Sequence, residues 1–404
     1  MSVALEDSFA APYPSKMRYE KVCLEAIAYT LPDEIVTSAQ IEESLAPLYR
    51  RLRLPEGRLE LMTGIRERRF WPPGMLPSEA SIASAQRALA AAGIDRRHIG
   101  ALIHASVCRD HLEPATACRV HHGLELPPDC LIYDVSNACL GMLNGMLQVA
   151  NMIELGQIRA GVVVGTESSR PLVETTIAAL NRDETLTRDQ MKLAVASLTI
   201  GSASAAVVLV DHESSRTQNW LQAAAVRTNT AHHALCHSGC DESVAGGMSP
   251  LMTTDSEKLL HAGVATAQET FGLFLDEWCA IGRPQGPGLP TTGLGIAQID
   301  KTFCHQVGVA HRKLLLERLG IDPAADFSTV EFLGNTGSAA VPVTAAIGLE
   351  RGHLSPGDQV ALLGIGSGLN VVMIGVDWQS VPVEHGAPRT MRRELRGGFA
   401  ARRL

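Results

Sequence analysis

The sequence predicts a layered α/β protein assembled from two similar halves. Hydrophobic residues make up 46% of the 404, yet aromatics only 4%, and there are 36 glycines. That is the aliphatic, glycine-punctuated composition of buried sheets covered by helices. Strand and helix patterns alternate along the chain, which points to sheets buried on both faces. A phrase also recurs. Glu154-Leu155-Gly156-Gln157-Ile158 precedes Val162-Val163-Val164-Gly165, and Glu350-Arg351-Gly352-His353-Leu354 precedes Val360-Ala361-Leu362-Leu363-Gly364. Each time a helix ends at a glycine suited to a left-handed cap, a short polar loop follows, and an aliphatic strand ends in glycine.

In the first half, helical patterns cover 81–92 and 115–124, and strand patterns cover 101–107 and 131–135. An apolar helix then runs to Gly156. The second half offers a long helical pattern over 258–281, a strand over 299–304 and a helix over 310–319. Two segments read as loop excursions that shape an entrance or a subunit contact. They are 166–196, with a charged run from Asn181 to Lys192, and 229–255, with Gly239, Gly246, Gly247 and Pro250. A chain of this length exceeds a single core of about 250 to 300 residues. The expected division is a leader at 1–21, halves at 22–213 and 214–380, and a basic, solvated tail at 381–404.

A formal charge of −8 argues against a general nucleic-acid binder, and no run of about 18 uncharged apolar residues offers a membrane span. The leader carries Glu6, Asp7, Pro12 and Pro14 without an apolar core, so it does not read as a secretory signal. A cytoplasmic protein follows as the expectation. Nine cysteines without small-domain spacing then read as reduced thiols.

Three polar residues fall at strand-to-helix junctions: Cys139 in Ser136-Asn137-Ala138-Cys139-Leu140-Gly141, His305 in Cys304-His305-Gln306-Val307-Gly308, and Asn335 in Gly334-Asn335-Thr336-Gly337. Open α/β sheets collect ligands at that edge. Cys139 stands as far ahead of Glu154 as Asn335 stands ahead of Glu350, so the two occupy equivalent helix starts. A helix start offers free N–H groups and partial positive charge, which favour a thiolate and hold a developing oxyanion. Taken singly, Cys139 reads more readily as a small core residue, and His305 or Asn335 as a satisfied structural one.

Together these phrases resemble the condensing enzymes of the thiolase superfamily, in the branch of the 3-oxoacyl-carrier-protein synthases III. Thr63-Gly64-Ile65-Arg66-Glu67-Arg68 and Gly364-Ile365-Gly366-Ser367-Gly368-Leu369-Asn370 match as well, and the likeness runs from about Val22 to Trp378. The resemblance implies a five-layered αβαβα fold, a homodimer, acyl-CoA or acyl-carrier-protein substrates, and no cofactor or metal. It implies that Cys139 accepts an acyl group, with oxyanion donors from its own N–H and the Gly366-Ser367-Gly368 loop, while His305 and Asn335 stabilise an enolate. It also places Arg66 and Arg68 near a pantetheine entrance, where they would neutralise phosphates; surface salt bridging is the other reading.

Glu113, in Arg109-Asp110-His111-Leu112-Glu113-Pro114-Ala115-Thr116, lies upstream of Cys139 on a loop that precedes a helical pattern. A carbon nucleophile arises by decarboxylating a malonyl thioester or by removing an α-proton from an ordinary one. Only the second route needs a strong base. The phrase resembles that of the head-to-head acyl-CoA condensing enzymes of olefin biosynthesis, except at His111, where a tyrosine is found there. The resemblance implies that Glu113 is the base and reaches the partner subunit's site. A surface carboxylate near a helix start is the plain alternative.

The rival activities are a decarboxylating synthase III, an O-acyltransferase or thioesterase, and a non-catalytic partner subunit. The cluster His232-His233-Ala234-Leu235-Cys236-His237-Ser238-Gly239-Cys240-Asp241 has soft ligands but no second ligand pair, so it reads as a pocket rim and not a zinc site. The Gly366 loop lacks the following helix and the acidic residue of a dinucleotide site.

Overall fold

The computed structural model describes residues 16–239, 251–281 and 299–380. Its strands are β1 (Lys16–Arg18), β2 (Val22–Thr30), β3 (Glu34–Thr37), β4 (Glu67–Phe70), β5 (Ala101–Ala105), β6 (Leu131–Val135), β7 (Ala160–Glu167), β8 (Ala203–Asp211), β9 (Trp220–Thr228), β10 (Cys236–Ser238), β11 (Met252–Thr254), β12 (Lys301–Cys304), β13 (Asp358–Gly366) and β14 (Asn370–Trp378). The order β6-β5-β7-β8-β2 forms one half of the main sheet and β9-β14-β13-β12 the other. The halves touch edge to edge through one pair, Cys23 with Trp220. Parallel pairing is confined to β5 with β6, β5 with β7 and β12 with β13, so their carboxyl ends face one way within each half.

Strand alternation sends neighbours into different cores. In β7, Val163 joins the central core while Val162 and Val164 join an outer one. In β14, Val372 and Ile374 face the centre while Val371 and Met373 face outward. The helices Gly141–Glu154 and Ala340–Glu350 fill the central layer with Met142, Leu143, Met146, Val341, Val343 and Ile347. The second is buried from Ala340 to Gly348, while the first keeps Asn144, Gln148 and Asn151 along one less-buried side. Helices Pro77–Ala92 and Thr116–Leu124 cover the first half outside, and Ser256–Ile281 and Val309–Leu319 the second. The result is the five-layered thiolase-like fold. The duplicated helices end at Glu154 and Glu350, each followed two residues later by a left-handed glycine, Gly156 and Gly352.

Three expectations change. Segment 166–196 is not a loop: it holds the helices Arg170–Arg182 and Arg188–Ala194. Val173, Leu180 and Met191 pack on Ile41, Leu45 and Leu48, so the charged residues are the outer face of a small satellite core. Within the expected leader, β1 pairs with β9, and Tyr19 is buried with its hydroxyl donating to Asn151 Oδ1 at 2.8 Å. The duplication is also imperfect, because the second half has only the bridge Thr302 with Asp326 where the first has β6. Residues 1–15, the tail at 381–404 and Cys240-Asp241 of the His/Cys-rich segment lie outside the described residues. Among the described residues no helix is long and apolar enough to cross a membrane.

Candidate active site

β6 ends at Val135, and the chain turns sharply before the helix that starts at Gly141. Ala138 takes φ 45°, a left-handed conformation that few non-glycine residues adopt and that marks a tight, purposeful turn. Leu140 N–H donates to Asn137 O at 2.9 Å, and Asn137 Nδ2 donates to Asn144 Oδ1 at 2.8 Å, so the turn is braced from its own helix. Cys139 sits on this elbow, two residues ahead of the helix and half-buried.

The loop joining β13 to β14 closes over it. A Cβ placed on Gly366 would stand 3.7 Å from the backbone nitrogen of Cys139 and 2.9 Å from Leu140 Cγ. Asn370 Nδ2 donates to Ser367 O at 3.2 Å and to Asn137 Oδ1 at 3.4 Å, tying loop to elbow. Gly368, at φ 87°, supplies the reversal.

His305 follows β12, and its N–H donates to Leu363 O of β13 at 2.8 Å, which sets it beside the strand that carries Gly366. Its ring is buried, and Nδ1 has no partner among the described residues. Burial pushes the imidazole down to about 4, with nearby His311 adding to the shift, so it is neutral at pH 7. Gln306 holds the following turn: Nε2 donates to Cys304 O at 2.6 Å, and Oε1 accepts from Ser328 Oγ and the N–H groups of Thr329 and Val330.

Asn335 is fixed by the other half of the chain. Its N–H donates to Thr199 O at 2.9 Å, and Gly201 N–H donates to its carbonyl at 2.8 Å. Its side-chain Oδ1 accepts from Gly337 N–H at 3.0 Å, which leaves the amide Nδ2 as the group available to donate.

One electrostatic expectation is corrected. The helix start does not lower the Cys139 thiol; burial, then the negative charge of Glu167 and the neighbouring Cys236, push it up to about 12. Desolvation of a thiolate outweighs the partial charge of one helix end.

Arg66 is exposed, but Arg68 is fully buried. Its guanidinium donates to Ser38 Oγ at 3.1 Å and to Leu198 O at 3.0 Å, out of reach of any substrate phosphate. Arg66 lies just before β4, whereas Arg68 stands within it on the side that turns inward with Phe70. Sequence inspection missed a cationic groove lined by Arg58, Arg188 and Lys192 over Tyr49, Leu59, Met62 and Met191. Its members come from segments far apart in the chain, so no local pattern announces it.

Glu113 does not join the cluster within its own chain. It is exposed, with Val107 and Leu112, on the loop between β5 and the helix Thr116–Leu124. The loop is anchored at both ends: Asp110 accepts from Ser78 N–H at 2.9 Å, and Asp134 accepts from the N–H groups of Thr116 and Ala117 at 2.8 and 2.9 Å. Among the described residues no group of three or more His, Cys, Asp or Glu is arranged to hold a metal.

A duplicated five-layered fold that carries a cysteine elbow, a neutral histidine and an oriented asparagine at its junctions defines a condensing enzyme, an acyltransferase of the thiolase superfamily. The chain belongs to that family, in its synthase III branch: the thiolase N-terminal domain matches residues 76–240, and the C-terminal domain of 3-oxoacyl-[acyl-carrier-protein] synthase III matches residues 289–378. It is 42% identical to the acyl-CoA:acyl-CoA alkyltransferase of Shewanella oneidensis, over 90% of this chain and all of that protein. The beta-ketoacyl-[acyl-carrier-protein] synthase III of Rhodospirillum rubrum is 26% identical over 84% of this chain and 93% of its own. The crystal structure of a cysteine-to-alanine variant of Xanthomonas campestris OleA superposes with a TM-score of 0.80 at 33% identity, covering 91% of this chain and 100% of that one. A glutamate replaced in another solved variant of OleA stands as far ahead of that cysteine as Glu113 stands ahead of Cys139.

Proposed function

We propose that the protein joins two fatty acyl-CoA molecules head to head, without decarboxylation, to a β-keto thioester and free coenzyme A. The observation that supports this most is the spacing from Glu113 to Cys139, which OleA repeats between two positions chosen for substitution. The full-length likeness to a protein named for acyl-CoA:acyl-CoA transfer adds to it.

In the first half-reaction the sulfur of Cys139 attacks the acyl carbonyl. The tetrahedral oxyanion is held by the N–H groups of Cys139 and of the Gly366-Ser367-Gly368 loop; coenzyme A leaves with the thiol proton. In the second, Glu113 takes the α-proton of another acyl-CoA. Neutral His305 and the Asn335 amide donate hydrogen bonds to the resulting enolate oxygen. The α-carbon attacks the acyl-cysteine carbonyl, and the Cys139 sulfur departs as a thiolate that takes up a proton equivalent to the one Glu113 removed, returning both groups to their starting states. Protons and electrons balance without a redox partner, so we assign no cofactor. Exposed Arg66 suits the phosphates of coenzyme A.

The working unit in this reading is a cytoplasmic homodimer. β6 ends the main sheet and pairs only with β5 among the described residues. Half-exposed Leu131 lies on that edge, and the loop bearing Val107, Leu112 and Glu113 leaves the carboxyl end of the neighbouring β5. A second copy pairing along β6 would carry Glu113 toward the partner's elbow. Incubation with a long-chain acyl-CoA alone tests the proposal: a β-keto product supports it. Product only on adding malonyl thioester favours the decarboxylating synthase, and an ester or free acid favours acyl transfer to oxygen.

A further inference from the structure

Glu167, the last residue of β7, is a buried carboxylate that the reaction above does not use. It is 4% exposed, and among the described residues no lysine or arginine pairs with it. Burying a carboxylate without a counter-ion is costly, and a neutral side chain would fill the space without that cost. Its partners lie mainly across the duplication. Ser338 N–H donates to Glu167 Oε1 at 3.2 Å, and Ser338 Oγ lies 2.5 Å from the same oxygen. Cys108 Sγ stands 3.5 Å from Oε2. Ser338 Oγ is also 3.0 Å from Ala105 O; its one proton serves only one of the two acceptors, and burial raises the Glu167 carboxyl toward the protonated form, which donates to Ser338 Oγ when the hydroxyl donates to Ala105 O.

The carboxylate presses on the turn next to Asn335. A Cβ on Gly337 would come within 2.9 Å of Glu167 Cδ and Cγ, and Gly337 N–H is the donor that orients the Asn335 amide. Glu167 is also the principal charge acting on Cys139.

We propose that Glu167 is a positioning residue: through Ser338 and Gly337 it holds the Asn335 amide in its donor orientation, in register with the half of the molecule that carries Cys139. The geometry is that of a clamp from β7 of the first half onto the Asn335 turn of the second. The proposal rests on the reading of Asn335 as an enolate donor. Losing the clamp therefore impairs carbon–carbon bond formation and spares acylation, because the acylation oxyanion is held by the Gly366 loop.

The test compares full-length Glu167→Ala, Glu167→Gln, Ser338→Ala, Ser338→Thr and Asn335→Ala in two assays with acyl-CoA alone. One is single-turnover coenzyme A release with acylation of Cys139 read by intact mass; the other is β-keto product formation. We expect Glu167→Ala and Ser338→Ala to lower condensation at least about tenfold while acylation stays within about threefold. Glu167→Gln keeps an acceptor oxygen for Ser338, and Ser338→Thr keeps the hydroxyl, so both restore most of the condensation rate. Equal losses in the two assays without rescue would reduce Glu167 to a fold residue and overturn the proposal. Should Glu167→Ala fail to fold, the Ser338 pair makes the same comparison. If Asn335→Ala itself condenses normally, the donor reading fails and the clamp with it. Loss in Asn335→Ala alongside full condensation in Glu167→Ala and Ser338→Ala sinks the clamp only.

Discussion

Gly366 lies against Cys139 so closely that an added Cβ would stand 3.7 Å from the cysteine's backbone nitrogen. This approach makes the elbow and the β13–β14 loop one oxyanion site from two distant segments. Gly366→Ala must displace Leu140, 2.9 Å from the new methyl, and with it the Cys139 N–H. We expect acylation to slow about 100-fold, the cost of one oxyanion donor, in stopped-flow measurement of coenzyme A release. Unchanged acylation would place the oxyanion elsewhere.

Glu113 offers a test of composite sites. Glu113→Gln alone should acylate Cys139 yet lose condensation by at least about a hundredfold. Mixing it with Cys139→Ala, also inactive, should restore about a quarter of wild-type turnover, because half the dimers are mixed and each has one complete site. A base acting within its own subunit would leave the mixture dead.

The thiol of Cys139, pushed up to about 12 by burial and by Glu167, is protonated across the physiological range. Its alkylation by iodoacetamide should therefore rise about tenfold per pH unit from pH 7 to 9 without levelling off. A plateau near pH 8 in the wild type would show that the helix start dominates after all.

His104, His305 and His311 are each held down to about 4 by burial, below the ordinary histidine value of about 6.5. Between pH 6.5 and 4 the unfolded chain binds protons that the folded chain refuses. Stability is thus full above about pH 6.5 and is lost as pH falls, by up to about 1.4 kcal/mol per pH unit for each such histidine. His104 is fully buried, and neither ring nitrogen has a hydrogen-bond partner among the described residues, Asp134 Oδ1 standing 3.9 Å from Nδ1. His104→Leu should flatten the slope by about one proton in denaturant titrations at pH 5 and 6; an unaltered slope would contradict its neutral burial.

Arg66 and Arg68 should separate cleanly. Arg66→Ala is expected to raise KM for acyl-CoA severalfold with a change in stability under about 0.5 kcal/mol. Arg68→Met leaves Ser38 Oγ and Leu198 O without their donor and should cost about 2 to 4 kcal/mol in urea melts, with KM little changed. A shared KM effect would return Arg68 to the substrate path.

By itself the sequence determined the layered fold and the positions of its junctions. Helix and strand periods, the glycine after Glu154 and again after Glu350, and the equal spacing from Cys139 and Asn335 are local properties, written within a few turns of chain. It also brought Cys139, His305, Asn335 and Glu113 forward as candidates, three at junctions and the fourth through its phrase. Tertiary structure alone decided what surrounds them. The inward side of β4 takes Arg68, while Arg66 lies just ahead of the strand. The satellite core makes helices of a segment that reads as a charged loop. The Glu167 contact with Ser338 joins residues 171 positions apart. The Cys139 thiol depends on desolvation and on a charge from β7, both set by packing and invisible in the spacing around it. Local order follows from local pattern; burial, and the charges it brings together, exist only once the two halves have closed.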